Sequence, residues 1–199
     1  MDVAIIDSGG ANLASLVYAL ERLGARAVVT DQAEVIRGAP RVLLPGVGSA
    51  GNAMARLRAA KLDTVIPRLT QPLLGICLGM QLLFEASAEG DDGDTTCLGI
   101  IPGRVARLAA SPERPVPHMG WNRLQGLATD PLLAGISDAE YFYFVHSFAA
   151  PVGPHSLAVT EYGETFTSLA RHGNFRGAQF HPERSAHPGA RLLANFLAI

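Results

Sequence analysis

Short apolar segments, each ending in a turn, set what this chain can fold into. Val3-Ala4-Ile5-Ile6 runs into Asp7-Ser8-Gly9-Gly10, and Arg41-Val42-Leu43-Leu44 into Pro45-Gly46-Val47-Gly48. Pro72-Leu73-Leu74-Gly75-Ile76 runs into Cys77, and Ala27-Val28-Val29 is a fourth such segment. Between the first two, residues 12–23 place apolar side chains at 13, 16, 17, 20 and 23, the spacing of one helix face. Asn12 is a candidate N-cap and Gly24 a stop. Residues 52–60 and a segment from Gly79 to Phe84 also read as helices. Near-continuous apolar strands separated by helices pair in parallel and are covered on both faces. The expectation is an α/β chain with a mixed, largely parallel central sheet and helices on both faces.

The second half is more β-like. Residues 86–98 are polar and acidic and read as a loop, and 111–122 as a Pro-rich stretch. Ile100-Ile101, Val105 to Leu108, Tyr141 to Phe148, Leu157 to Val159, Thr167 to Ala170 and Phe175 to Phe180 have strand character. Residues 189–198 read as a closing helix. No linker and no internal repeat interrupts the 199 residues, so one domain over 1–199 is expected.

Composition removes several function classes. With 16 basic against 18 acidic residues and no basic run, nucleic acid is not an expected partner. No apolar run reaches the length of a membrane span, and MDVAIIDSGG lacks the positive start of a signal peptide. The two cysteines, Cys77 and Cys97, show no metal spacing, so reduced thiols in the cytoplasm, no zinc and no cofactor are expected. Only 17% of the residues are charged, which suits a chain that buries surface against another subunit.

Cys77 stands at the end of an apolar strand with Gly75 and Gly79 two residues to either side. That is the spacing of a nucleophile elbow, with cysteine where serine is usual. A helix starting after it favours the thiolate, and its free N–H groups can hold an oxyanion. The competing reading is a buried thiol that only fills space, since cysteine is among the most buried residue types. A thiol nucleophile needs a base. His181 follows the strand-like GAQF, with Glu183 two residues on to orient its ring; the plain alternative for His-Pro-Glu is a solvated turn. His146, in an aromatic strand, reads as structural, and Cys97 as non-catalytic. Gly46 and Gly48 permit close backbone approach to a ligand, and no Lys-Ser/Thr follows them as a phosphate loop requires.

LLPGVG (43–48), GICLGMQLL (75–83) and QFHPERS (179–185) together resemble the class I, or triad, glutamine amidotransferases. HMGWN (118–122) and YFYFVHSF (141–148) are similar to a branch that serves histidine biosynthesis. That branch delivers ammonia to a separate (β/α)8-barrel cyclase, which forms imidazole glycerol phosphate and AICAR. The resemblance implies a flavodoxin-like fold and hydrolysis of glutamine through a cysteine thioester. It implies Cys77 as nucleophile, His181 as base and Glu183 as its orienting carboxylate. The backbone N–H groups of Leu78 and Val47 are implied as oxyanion donors. Gln81 and Glu89 match positions at the substrate's α-amino end, and Ser147 and Phe148 positions near its carboxylate, with Gly46 and Gly48 beside them. Asn12, Trp121, Asn122 and Tyr143 are implied to lie toward the cyclase and the ammonia exit. Ser8, Ala11, Ser49 and Ala50 depart from the commonest family pattern and are expected on the partner side. The alternatives are an amidotransferase serving another synthase, against which HMGWN and YFYFVHSF speak, and a binding subunit with a dead site, against which the intact triad speaks.

Overall fold

The computed structural model describes residues 1–8, 13–90 and 93–199. In chain order the first half runs β1 (Val3–Ile6), α1 (Leu13–Arg22), β2 (Ala27–Thr30), α2 (Ala33–Gly38), β3 (Val42–Gly46), α3 (Ala50–Ala59), β4 (Leu73–Cys77) and α4 (Leu78–Gln81). The second half runs β5 (Phe84–Ser87), β6 (Thr95–Thr96), β7 (Ile101–Arg107), β8 (His118–Arg123), β9 (Tyr141–His146), β10 (Phe148–Ala149), β11 (Ser156–Tyr162), β12 (Glu164–His172), β13 (Phe175–Ala178) and α5 (Ala186–Ala198).

Seven strands form the central sheet, in the order β11-β12-β13-β4-β3-β1-β2. β2, β1, β3, β4 and β13 pair in parallel, while β13-β12 and β12-β11 are antiparallel. The sheet is therefore mixed and largely parallel, as expected. Alternation along each strand sends its apolar residues to two cores. Val3 and Ile5, Leu43, and Leu74 and Ile76 pack with α1 and α5 on one face. Ile6, Val42 and Leu44, and Leu73 pack with α2 and α3 on the other. A four-stranded sheet, β10-β7-β5-β6, extends the second core through Phe84, Ile101 and Val105. The two-stranded β8-β9 ribbon lies against the first core through Phe142 and Phe144.

Four expectations change. The segment from Gly79 to Phe84 is one helical turn, Leu78–Gln81, after which the chain enters β5. Ile100 and Ile101 donate to the Leu83 carbonyl, and Phe84 pairs with Ile101, so the buried Phe84 is drawn into a second sheet instead of a longer helix. Part of the 86–98 loop is strand, β6 pairing with β5. HMGWN, read only as the end of a Pro-rich stretch, lies in β8. The helix read over 52–60 begins at Ala50, because Ser49 caps it by accepting from the Asn52 N–H. The six-residue α2 carries no helical period, and its one buried residue is Ile36. Asn12 lies outside the described residues.

Candidate active site

The elbow at Cys77 is built by close approach. A Cβ on Gly79 would lie 1.7 Å from the Leu44 carbonyl oxygen, and one on Gly75 would lie 2.6 Å from the Gly79 oxygen. A side chain at Gly79 would push α4 off β3, and one at Gly75 would push α4 off its own strand, β4. Cys77 itself has φ 54° and ψ −113°, a region L-residues rarely adopt. Strain of this kind persists only where the surroundings force it, and it concentrates at functional sites. The β3–β4 register sets Gly46 beside Cys77, so the Pro45–Gly48 segment borders the thiol. Ser8 donates to the Pro45 carbonyl at 2.8 Å and is buried, so it props this segment from below.

β13 delivers His181 opposite. Its backbone N–H donates to the Tyr143 carbonyl at 2.9 Å, and the Ser185 hydroxyl donates to its own carbonyl at 2.6 Å. His181 Nδ1 lies 2.7 Å from Glu183 Oε1, and the ring shares a cavity wall with Cys77, whose thiol donates to the Val145 carbonyl at 3.7 Å. Burial alone would push the His181 pKa down. The neighbouring Cys77 and Glu183 outweigh it and carry the value up to about 10. The site therefore favours the protonated ring. Gln179, two residues earlier, lies 3.9 Å from Cys77 Sγ through Nε2 and accepts from Gln81 Nε2 at 3.0 Å.

Two cavities meet here. The larger, about 310 Å3, is lined by Val47, Gly48, Cys77, Leu78, Gln81, Glu89, Pro117, Val145, His146, Ser147, Phe148 and His181. The smaller, about 130 Å3, is lined by Ser15, Leu16, Pro45, Gly46, Val47, Ile76, Val145, His181, Glu183 and Arg184. Val47, Val145 and His181 belong to both. In the larger cavity Gln81 donates Nε2 to the Phe148 carbonyl at 2.7 Å as well as to Gln179. Its Nε2 hydrogens are therefore taken, and Oε1 remains as an acceptor suited to an ammonium. Glu89 accepts from the Ala50 N–H at 2.8 Å, at the start of α3. Burial raises the Glu89 pKa, opposed by that bond and by Arg107. Ser49 and Ala50 therefore border the Glu89 side of the pocket.

Residues 4–199 match the family described as glutamine amidotransferase class-I. The chain belongs to the class I glutamine amidotransferases. It is 54% identical over 198 residues to the imidazole glycerol phosphate synthase subunit HisH of Xylella fastidiosa (strain Temecula1 / ATCC 700964), covering 100% of this chain and 98% of that one. It is 53% identical to the HisH subunit of Xanthomonas campestris pv. campestris (strain 8004) with the same coverage. A crystal structure titled glutamine amidotransferase superposes with a TM-score of 0.73 at 21% identity, over 100% of this chain and 98% of that one.

The remaining site residues of this amidotransferase divide by hairpin face. Trp121 pairs with Tyr143 across β8 and β9, rings 5.8 Å apart and edge-on, with the Arg184 guanidinium over the Tyr143 ring. Asn122, expected beside Trp121 on the partner side, points the other way. Alternation along β8 turns it to the face of His118, where its amide bonds the Glu161 carbonyl and His118 Nε2. Sequence reading also passed over Gln179, although it stands inside the QFHPERS motif. Burial pushes the Cys97 thiol up to about 11, and Cys97 lines neither cavity. No group of three or more metal-ligating side chains forms among the described residues. No helix among them is long and apolar enough to cross a membrane.

Proposed function

We propose that this chain is the glutaminase subunit of an imidazole glycerol phosphate synthase, a cytoplasmic enzyme of histidine biosynthesis, with one amidotransferase domain over residues 1–199. The observation that carries the reading is the strained Cys77 elbow in the wall of the larger cavity, with His181 beside it at the junction of the two cavities and Glu183 on the His181 ring. Glutamine enters the larger one. Gln81 Oε1 and Glu89 hold its α-ammonium, and Gly48, Ser147 and Phe148 surround its carboxylate end. Cys77 Sγ attacks the side-chain amide carbon, while His181 takes the thiol proton and Glu183 holds the ring. The N–H groups of Leu78 and Val47 stabilise the oxyanion beside Gly46. The proton on His181 passes to the departing nitrogen, and water cleaves the thioester to glutamate.

Ammonia leaves on the side of the smaller cavity, past Val145 and Arg184 toward Tyr143 and Trp121, into a (β/α)8-barrel cyclase. A dry exit matters because ammonium, the protonated form, is not a nucleophile. The relatives' names support this partner, and the exposed apolar side chains Met119, Trp121 and Tyr141 on one hairpin suit a subunit contact. The test adds the cyclase and its ribonucleotide ligand and follows glutamate release. Release should rise well above that of the chain alone; no rise would remove the assignment to this synthase.

A further inference from the structure

The Phe148 carbonyl, in the wall of the larger cavity, is held twice. Gln81 Nε2 donates to it at 2.7 Å, and His146 Nδ1 lies 2.9 Å away. A carbonyl only accepts, so His146 Nδ1 carries a proton, and in the neutral ring Nε2 can only accept. His118 Nδ1 lies 3.0 Å from that Nε2 and must donate. His118 Nε2 is then an acceptor, and Asn122 Nδ2 lies 3.4 Å from it. The Asn122 amide is itself fixed, since Oδ1 accepts the Arg123 N–H at 2.8 Å and Nδ2 donates to the Glu161 carbonyl at 3.0 Å. Each proton has one place, and all point from the hairpin toward the pocket.

We propose that His118 and His146 are positioning residues for the substrate: a neutral, one-way relay that fixes the Phe148 carbonyl and the pocket wall around it. The proposal rests on the reading that this cavity takes glutamine. Neutrality is what the relay needs. A protonated His146 would set an N–H against the N–H of His118, and would place a second cation beside His181. Burial meets that need. It pushes His118 down to about 4 and His146 to about 3, the latter against its bond to Phe148 and with His118 and His181 adding to the downward push. The plain alternative is core packing, since His118 stacks against Tyr162 at 4.0 Å and Phe144 at 4.9 Å.

Two measurements separate the readings. Nitrogen-15 NMR of the full chain should find both rings as Nδ1–H tautomers, with neither titrating between about pH 5 and 8. An Nε2–H on His146, or a titration in that range, overturns the relay whatever any variant does. In the holoenzyme with cyclase and its ligand, His118→Phe keeps the stacking and loses the N–H. It should raise the glutamine KM about tenfold, the worth of one ordinary hydrogen bond, with kcat within about twofold. His118→Gln, whose amide can donate to His146, should recover most of that KM. An unchanged KM in His118→Phe, or an equal fall of kcat in both variants, reduces the pair to packing and overturns the proposal. Absence of glutamate release by the unmodified holoenzyme would instead sink the glutaminase reading and leave the tautomer result standing.

Discussion

Two buried polar clusters sit at the two ends of β13, and they are built on opposite principles. At its start, Arg176 meets Asp130 through Nε at 3.0 Å and Nη2 at 3.1 Å. Asp130 also accepts the Leu132 N–H at 2.8 Å and Arg171 Nη1 at 2.9 Å, so both its oxygens are doubly occupied. Just past the end of β13, His181 and Glu183 form one hydrogen bond, Glu183 Oε2 is buried without a partner among the described residues, and Cys77 is held at a strained φ. A saturated ion network has nothing left to offer a ligand and serves the fold. An under-satisfied one facing a cavity keeps its bonding capacity for a reacting group. On the proposed function, the same strand carries structure at one end and chemistry at the other.

The largest expected effect breaks the chemical end alone. Cys77→Ala should lower glutamate release by about four orders of magnitude or more, since the nucleophile is gone. Cys77→Gly should do the same while keeping stability within about 1 kcal/mol of the unmodified chain, because glycine relieves the positive φ. Release by either variant above a few per cent of normal would contradict the nucleophile assignment.

Asp130→Ala should do the reverse. Removing one partner of a buried pair leaves Arg176 uncompensated and costs about 3–5 kcal/mol. Denaturant unfolding would read that loss, while glutamate release per folded molecule stays within about twofold. A tenfold fall in specific activity at unchanged stability would show that the two ends are not separate.

The two clusters should also bend the pH–stability curve in opposite limbs. Burial alone would raise the Asp130 pKa, but Arg176, the Leu132 N–H and Arg171 hold it below the ordinary carboxyl value. Its contribution is complete above the unfolded value of about 3.9 and is lost as pH falls through the lower folded value. The His181 pKa is raised to about 10, so its contribution is complete below the unfolded value of about 6.5 and fades as pH climbs toward 10. Thermal melting across pH should show the acid limb flattened in Asp130→Asn and the alkaline limb flattened in His181→Gln. Flattening of the wrong limb in either variant would break the assignment of each limb to its cluster.

What the sequence disclosed of these clusters follows their locality. The elbow is legible because G-x-C-x-G compresses the nucleophile and its steric need into five residues after an apolar run. His181 and Glu183 are two residues apart and equally plain. The saturated network was not legible: Asp130 and Arg176 are 46 residues apart, and neither belongs to a local pattern. The same holds for Gln81 and Gln179, separated by 98 residues. That Asn122 and Trp121 take opposite faces of β8 was not legible, because Pro115 and Pro117 hide the strand that follows them, and without the strand its alternation cannot be counted. The central sheet was readable because β1, β3 and β4 are apolar on both faces. The short α4 was not, because Phe84 is drawn off by pairing with Ile101, which no helical period foretells.

The smallest effect is the sharpest test of the saturated end. Arg171 and Arg176 both bind Asp130, but the Arg171 side chain is 43% exposed and that of Arg176 only 5%. Water can replace Arg171 at the single Oδ2 contact it makes, and screening weakens what remains. Arg176 makes two parallel contacts out of reach of solvent, a geometry Arg holds with little loss of freedom. Arg171→Ala should therefore cost less than about 1 kcal/mol in denaturant unfolding, and less still in high salt. Arg176→Ala should cost several times more and change little with salt, because the carboxylate it abandons stays buried. Equal losses in the two variants would mean that Asp130 is held by the sum of its charges, not by the bidentate contact, and the saturated network would no longer contrast with the spare, single-bonded pair at His181.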